Sequence, residues 1–182
     1  VSALLETIGS AAVTAPVINC LDSDLIIVAG ANPTVNHPVA ASFMKNAVKS
    51  GAEMIVMDPR LNGLKNYSGH FLQFAPGTDV AMLNGIINVI IEEELYNKQY
   101  VDTFTEGFSE YSQHILKYPP EKMEPICKVA ATEIRAVARK IASAKAAMIF
   151  WGMGIAQHSH GTDNARCLIA LALLCGHIGK KG

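Results

Sequence analysis

Unbroken apolar runs alternate with amphipathic stretches along this chain, and the alternation predicts strands and helices in turn. Leu25-Ile26-Ile27-Val28 is a β-branched run that enters the small residues Ala29-Gly30-Ala31, the pattern of a strand buried on both faces. From Pro38 the apolar positions Val39, Phe43, Met44, Ala47 and Val48 share one helical stripe. Proline suits the first turn there, and Gly51 suits the C-terminal cap. A second run, Met54-Ile55-Val56-Met57, leads into Asp58-Pro59-Arg60. The three pieces make a strand, helix, strand unit that packs as a right-handed parallel crossover.

A looser strand is expected at 70–74, where Phe71, Leu72 and Phe74 are apolar, followed by a turn at Pro76-Gly77. Thr78 is placed to cap the next helix, with Asp79 in its first turn favouring the helix dipole. That helix, 80–94, is apolar around most of its circumference and should be heavily buried. Residues 97–127 are more polar and proline-punctuated, which predicts short helices and no chemistry. Thr132 reads as the cap of a helix with Ile134, Val137, Ala138 and Ile141 on one face and Arg135, Arg139 and Lys140 toward water. A further buried strand at 146–151 enters Gly152-Met153-Gly154, then a polar segment at 157–163, then a last helix closed by Gly176. Together these predict one α/β domain over residues 1–182, a Rossmann-like parallel sheet flanked by helices.

Composition narrows the function classes. Half of the 182 residues are hydrophobic, enough for a sizeable core, and 15 basic residues against 16 acidic leave no basic run for a phosphate backbone. Nucleic acid is not an expected partner. The longest apolar stretch, Cys167 to Cys175, falls well short of the roughly 20 residues a bilayer requires, and no charged-then-apolar leader opens the chain. Membrane insertion is therefore not expected. Cys20, Cys127, Cys167 and Cys175 lack CxxC or finger spacing and read as small core residues in a reducing compartment, the cytoplasm. The start at Val1-Ser2 without methionine and the ending Lys180-Lys181-Gly182 directly after a helix suggest a piece of a longer chain.

In open α/β sheets ligands bind beyond the carboxyl ends of the strands. Four loops qualify: 30–38, 58–60, 76–79 and 152–154. Small residues let backbone approach a phosphate closely, and an acidic residue ending the second strand can bond ribose hydroxyls or a guanine edge. Neither GxGxxG nor GxxxxGK[ST] occurs. Each loop also has a plainer reading. Asp58-Pro59 suits a simple strand end and turn, Gly152 and Gly154 suit close packing, His37 suits a helix cap, and Arg60 suits a solvated charge. Gln157 and His158 sit where substrate-side polar groups belong, and equally where surface side chains belong. With no GxSxG, HExxH or paired carboxylates, no catalytic residue and no metal ligand is assigned. The residues alone describe an α/β nucleotide-binding domain.

The order and spacing of several blocks add to this. Asp24 through Pro33, Asn36-His37-Pro38, and Gly51 through Arg60 strongly resemble the molybdopterin oxidoreductase family. Pro76-Gly77-Thr78-Asp79, Ile90 through Tyr96, Thr105-Glu106-Gly107-Phe108, Trp151 through Ile155 with Gln157, and Gly161 through Lys180 are similar to the formate dehydrogenase catalytic (alpha) subunit in particular. The resemblance implies a longer parent that binds two molybdopterin guanine dinucleotides chelating molybdenum or tungsten, oxidises formate to carbon dioxide, and passes electrons through a 4Fe-4S cluster. This chain would be a middle domain holding one dinucleotide, with Gly30, Asn32, His37, Asp58, Arg60, Gly77, Asp79, Gly152 and Gly154 lining it, largely through main-chain groups. Asp58 and Asp79 would contact sugar or base, and Met153 and Gln157 would approach the pterin. Its partners would be the remaining domains of the catalytic subunit and electron-transfer subunits. The family's cluster-binding cysteine motif, selenocysteine or cysteine metal ligand, catalytic arginine and carboxyl-terminal domain are not found in this sequence, so the chain by itself is not expected to oxidise formate. Another member of the superfamily, such as a nitrate reductase, and a stand-alone nucleotide or flavin module remain the alternatives.

Overall fold

The computed structural model describes residues 1–13 and 15–180; the last two residues of the chain, Lys181 and Gly182, lie outside the described residues. Four parallel strands, β1 (Leu25–Ala29), β2 (Glu53–Met57), β3 (His70–Leu72) and β4 (Ala147–Trp151), form one sheet in the order β3-β2-β1-β4. Ile27 pairs with Ile55 on one side and Ile149 on the other, so the first strand of the chain lies inside the sheet. β3 is three residues long, against the five expected, because the chain leaves the sheet after Leu72 and Phe74 turns into the core.

Strand residues alternate between two cores. Leu25, Ile27, Ala29, Ile55 and Met57 face one side, where they meet α4 (Asp79–Glu92), α8 (Ala131–Ser143) and α10 (Gly161–Leu174). Ile26, Val28, Met54 and Val56 face the other, against α3 (Pro38–Lys49) and a 3-10 turn at Val17–Asp22. Each fully buried aliphatic side chain of this kind contributes about 1.5–3 kcal/mol, which is why unbroken apolar runs select a sheet covered on both faces. Helix α4 is buried almost throughout because α7 (Pro120–Cys127), α8, α10 and α6 (Phe108–Ile115) surround it.

Several local expectations change. The α3 stripe buries Ala41, Met44 and Ala47, whereas Val39 is exposed, since the helix is covered chiefly by the narrow 3-10 turn. Thr78 precedes α4 without capping it, because its hydroxyl donates to the Ala75 carbonyl at 2.6 Å. Ala130, not Thr132, occupies the N-cap of α8, and the Ala131 amide is taken by the Glu124 carboxylate at 2.9 Å. Arg135, Arg139 and Lys140 do not simply face water: Arg135 bridges Glu92, Glu93 and Glu121, Arg139 pairs with Glu93, and Lys140 with Glu53. The stretch 97–127 resolves into α5 (Lys98–Phe104), α6 and α7. All four cysteines are free thiols, three of them buried. Among the described residues no helix is long and apolar enough to cross a membrane.

Candidate functional site

The carboxyl ends of β1, β2 and β4 open on one side of the sheet, and the loops that leave them enclose a cleft of about 780 Å³. α2 (Pro33–Asn36) and α3 follow β1, and α9 (Met153–Ala156) follows β4. The first turn of α4 closes a further side through Pro76, Gly77 and Asp79. Gly30, Asn32, His37, Asp58, Arg60, Gly77, Asp79, Gly152, Met153 and Gly154 all line this one cleft. Gln157 does not; it lies exposed just past α9, its amide bonded to the Met153 carbonyl at 2.8 Å. The volume falls within the roughly 300–1,000 Å³ typical of small-molecule and cofactor sites.

Three glycines weld the β1 and β4 loops together. The Gly152 N–H donates to Ala29 at 3.1 Å, Gly154 to Gly30 at 3.0 Å, and Gly30 to Met57 at 2.8 Å. A Cβ on Gly154 would stand 2.6 Å from the Gly30 oxygen, one on Gly152 2.7 Å from the same atom, and one on Gly30 2.7 Å from the Ile155 nitrogen. No side chain fits there, and Gly30 also has φ +54°, which glycine adopts at least cost. The expectation that these glycines present main-chain donors to a ligand is therefore corrected. Their N–H groups are already committed to protein carbonyls.

The polar groups are distributed unevenly. Asp58 is buried at the end of β2, where its Oδ1 accepts the Arg60 amide at 2.8 Å. Asp79, 2 % exposed, sits in the first turn of α4. Burial pushes its carboxyl pKa up, its own amide and the charge of His158 pulling the other way. Arg60 is exposed and makes no ion pair among the described residues. His37 is exposed with its Nδ1 bonded to Asn36 Oδ1 at 2.9 Å, while Asn32 accepts the Thr34 hydroxyl. His158, left between two readings by the sequence, lines the cleft. It bonds the Gly154 carbonyl one helical turn earlier, and that i to i+4 spacing across α9 was the available signal. Phe150 and Trp151, which read in sequence as the end of a strand, also line the cleft, as does Pro76 of the 76–79 loop.

The cleft thus brings together two carboxylates, a guanidinium with no ion pair among the described residues, and closely packed glycine backbone at the strand ends. The sequence model of the molybdopterin oxidoreductase family matches residues 6–182. The chain belongs to that family. Among curated relatives of the family, formate dehydrogenase H of Escherichia coli is 40% identical, the match covering 99% of this chain and 25% of the relative. The alpha subunit of a formate dehydrogenase from Methanocaldococcus jannaschii is 37% identical over 100% of this chain and 27% of its own length. A nitrate reductase of Synechocystis is 33% identical over 88% and 23%. In solved structures, acetylene hydratase from Pelobacter acetylenicus superposes with a TM-score of 0.82 at 28% identity, over 99% of this chain and 26% of that one. The chain thus spans about a quarter of the length of the relatives it matches.

Proposed function

We propose that this chain is a middle domain of a molybdenum- or tungsten-dependent formate dehydrogenase catalytic subunit, and that its cleft holds the guanosine diphosphate portion of one pterin guanine dinucleotide. The observation that supports this above all is the convergence of Asp58, Asp79, Arg60 and the welded Gly30–Gly154 junction on one cleft. Guanine presents an N–H and an N–H2 along one edge, and a carboxylate with a free oxygen, as Asp58 has beside its Arg60 contact, is the acceptor that edge requires. Asp79 then serves the ribose hydroxyls, because two carboxylates near the diphosphate would repel it. Arg60 supplies the matching positive charge. The tight glycine junction holds the β1 and β4 loops against each other at the floor of the cleft.

When bound, the pterin carries the metal at which formate is oxidised to carbon dioxide; the residues of this chain bind and orient the nucleotide end. The choice of formate dehydrogenase follows the 40% identity to the Escherichia coli enzyme. The likeness to a nitrate reductase and to an acetylene hydratase supports assigning the reaction itself to parts of the parent outside this domain. In this reading the remaining domains of the catalytic subunit cover the cleft, a 4Fe-4S cluster and electron-transfer subunits carry the electrons away, and the enzyme works in the cytoplasm.

Titration of the 182-residue chain with GDP and with ADP, followed by amide chemical shifts, tests the cofactor reading. GDP should shift residues around Asp58, Asp79 and Gly152, and bind more tightly than ADP. Asp58→Asn, which turns one acceptor into a donor, should reduce that preference by about tenfold or more. Equal responses to the two nucleotides, or shifts confined to another surface, would reject it.

A further inference from the structure

A second cavity of about 510 Å³ lies among α4, α6, α10 and the turn at 105–107, and shares no lining residue with the first cleft. Its wall is apolar and aromatic, built from Phe108, Tyr111, Ile115, Leu173 and Leu174. Asn84 of α4 opens into it although the residue is only 9 % exposed. The Cys167 thiol donates to Asn84 Oδ1 at 3.5 Å, which turns the amide nitrogen away from that contact. Burial pushes the Cys167 pKa up to about 12, so the thiol keeps its proton and its donor role.

The Asn84 N–H2 then finds no acceptor among the described residues, and neither does the Tyr111 hydroxyl find a partner. One helical turn further on, the Asn88 N–H2 donates to the Ile115 carbonyl at 2.9 Å, although the Asn88 Oδ1 has no partner among the described residues. The Asn84 N–H2 is not sealed from solvent, and an aromatic cavity with an open, unpartnered amide donor in its wall has the chemistry of a ligand site. Charge at the rim narrows the ligand. Arg166 is paired with both Glu6 and Asp163, while Glu106 makes no ion pair among the described residues, so an anion meets net repulsion.

We propose that this second cavity binds a small, uncharged, largely aromatic molecule carrying a carbonyl oxygen, which accepts from the Asn84 amide while the ring packs against the Phe108 and Tyr111 wall. The site is independent of the dinucleotide cleft and stands whether or not that cleft takes a guanine nucleotide.

Acetophenone, ethylbenzene and benzoate, titrated separately into the 15N-labelled chain, test this. Acetophenone should give a saturable shift of the Asn84 side-chain N–H2 resonances. Its affinity should exceed that of ethylbenzene by roughly 3- to 10-fold, the worth of one hydrogen bond, and benzoate should bind more weakly than acetophenone. In Asn84→Leu, which keeps the helix and the volume, acetophenone and ethylbenzene should bind alike; Tyr111→Phe should leave the Asn84 shift in place. Absence of saturable acetophenone binding to the folded wild-type chain overturns the proposal. So does an acetophenone preference that survives in Asn84→Leu, or benzoate binding as tight as acetophenone.

Discussion

Replacing Gly154 by alanine isolates the junction on which the cleft depends. Gly154 does not have a positive φ and lies within α9, so local helix propensity favours alanine by up to about 1 kcal/mol. The tertiary structure opposes it. The new methyl would stand 2.6 Å from the Gly30 oxygen and 2.9 Å from the Gly30 Cα, where ordinary contact begins at 3.4 Å. The β1 loop must therefore retreat by roughly 0.8 Å. Overpacking of this kind costs about 1–3 kcal/mol, and loss of the 3.0 Å bond from the amide of residue 154 adds about 0.5–1.5 kcal/mol. Set against the propensity gain, Gly154→Ala should destabilise by about 2 kcal/mol, a fall of roughly 4–8 °C in Tm. Urea unfolding measures the loss, and amide hydrogen exchange locates it, since the Gly152 and residue-154 amides should lose protection. Gly77→Ala is the control, because no atom lies within 4 Å of its Cβ position and only the cost of φ +80° applies. It should leave exchange at residues 152 and 154 unchanged. A Gly154→Ala protein within about 0.5 kcal/mol of wild type, with Gly152 still protected, would refute the argument.

Asp79 makes stability depend on pH in a defined direction. Because burial raises its folded pKa, the folded state holds the proton more tightly than the unfolded chain; its contribution is fully present below the ordinary aspartate range and is lost as pH rises through the raised value. Asp79→Asn should thus gain stability relative to wild type between about pH 3 and pH 7 in parallel urea titrations; a constant difference would disprove the assignment. Arg135→Ala breaks contacts to Glu92, Glu93 and Glu121 at a partly exposed site and should cost about 1 kcal/mol. Raising the salt concentration during thermal melts should shrink that difference.

The parts of the fold visible in sequence were those whose burial is uniform. β1 and β2 are apolar on nearly every residue because both faces of the sheet are covered there, and α4 is apolar nearly all round because helices enclose it; β4, expected as a buried strand, lies at the sheet edge with only Ala147 buried. Helix caps were less visible. Thr78 and Thr132 have the right chemistry, but the Ala75 carbonyl captures one hydroxyl, and α8 begins at Ala131, which puts the other threonine inside the helix. Segment 97–127 has no strong period, and its three helices are positioned by α4 and α10, through contacts such as Asn97 N–H to the Leu174 carbonyl at 2.8 Å.

For the candidate site the division is sharper. Composition and spacing located the loops 30–38, 58–60, 76–79 and 152–154, because strand ends, glycines and acidic residues are local features. Only the tertiary structure decided that β4, more than a hundred residues after β1, lies directly beside it and so brings Gly152 and Gly154 onto Gly30. The same pairing commits the glycine N–H groups to protein carbonyls, draws His158 into the cleft and leaves Gln157 outside it. The physical reason is range. Backbone propensity and side-chain periodicity act within a few residues, whereas a contact at van der Waals distance between distant segments depends on strand order and register, which no short window of sequence contains.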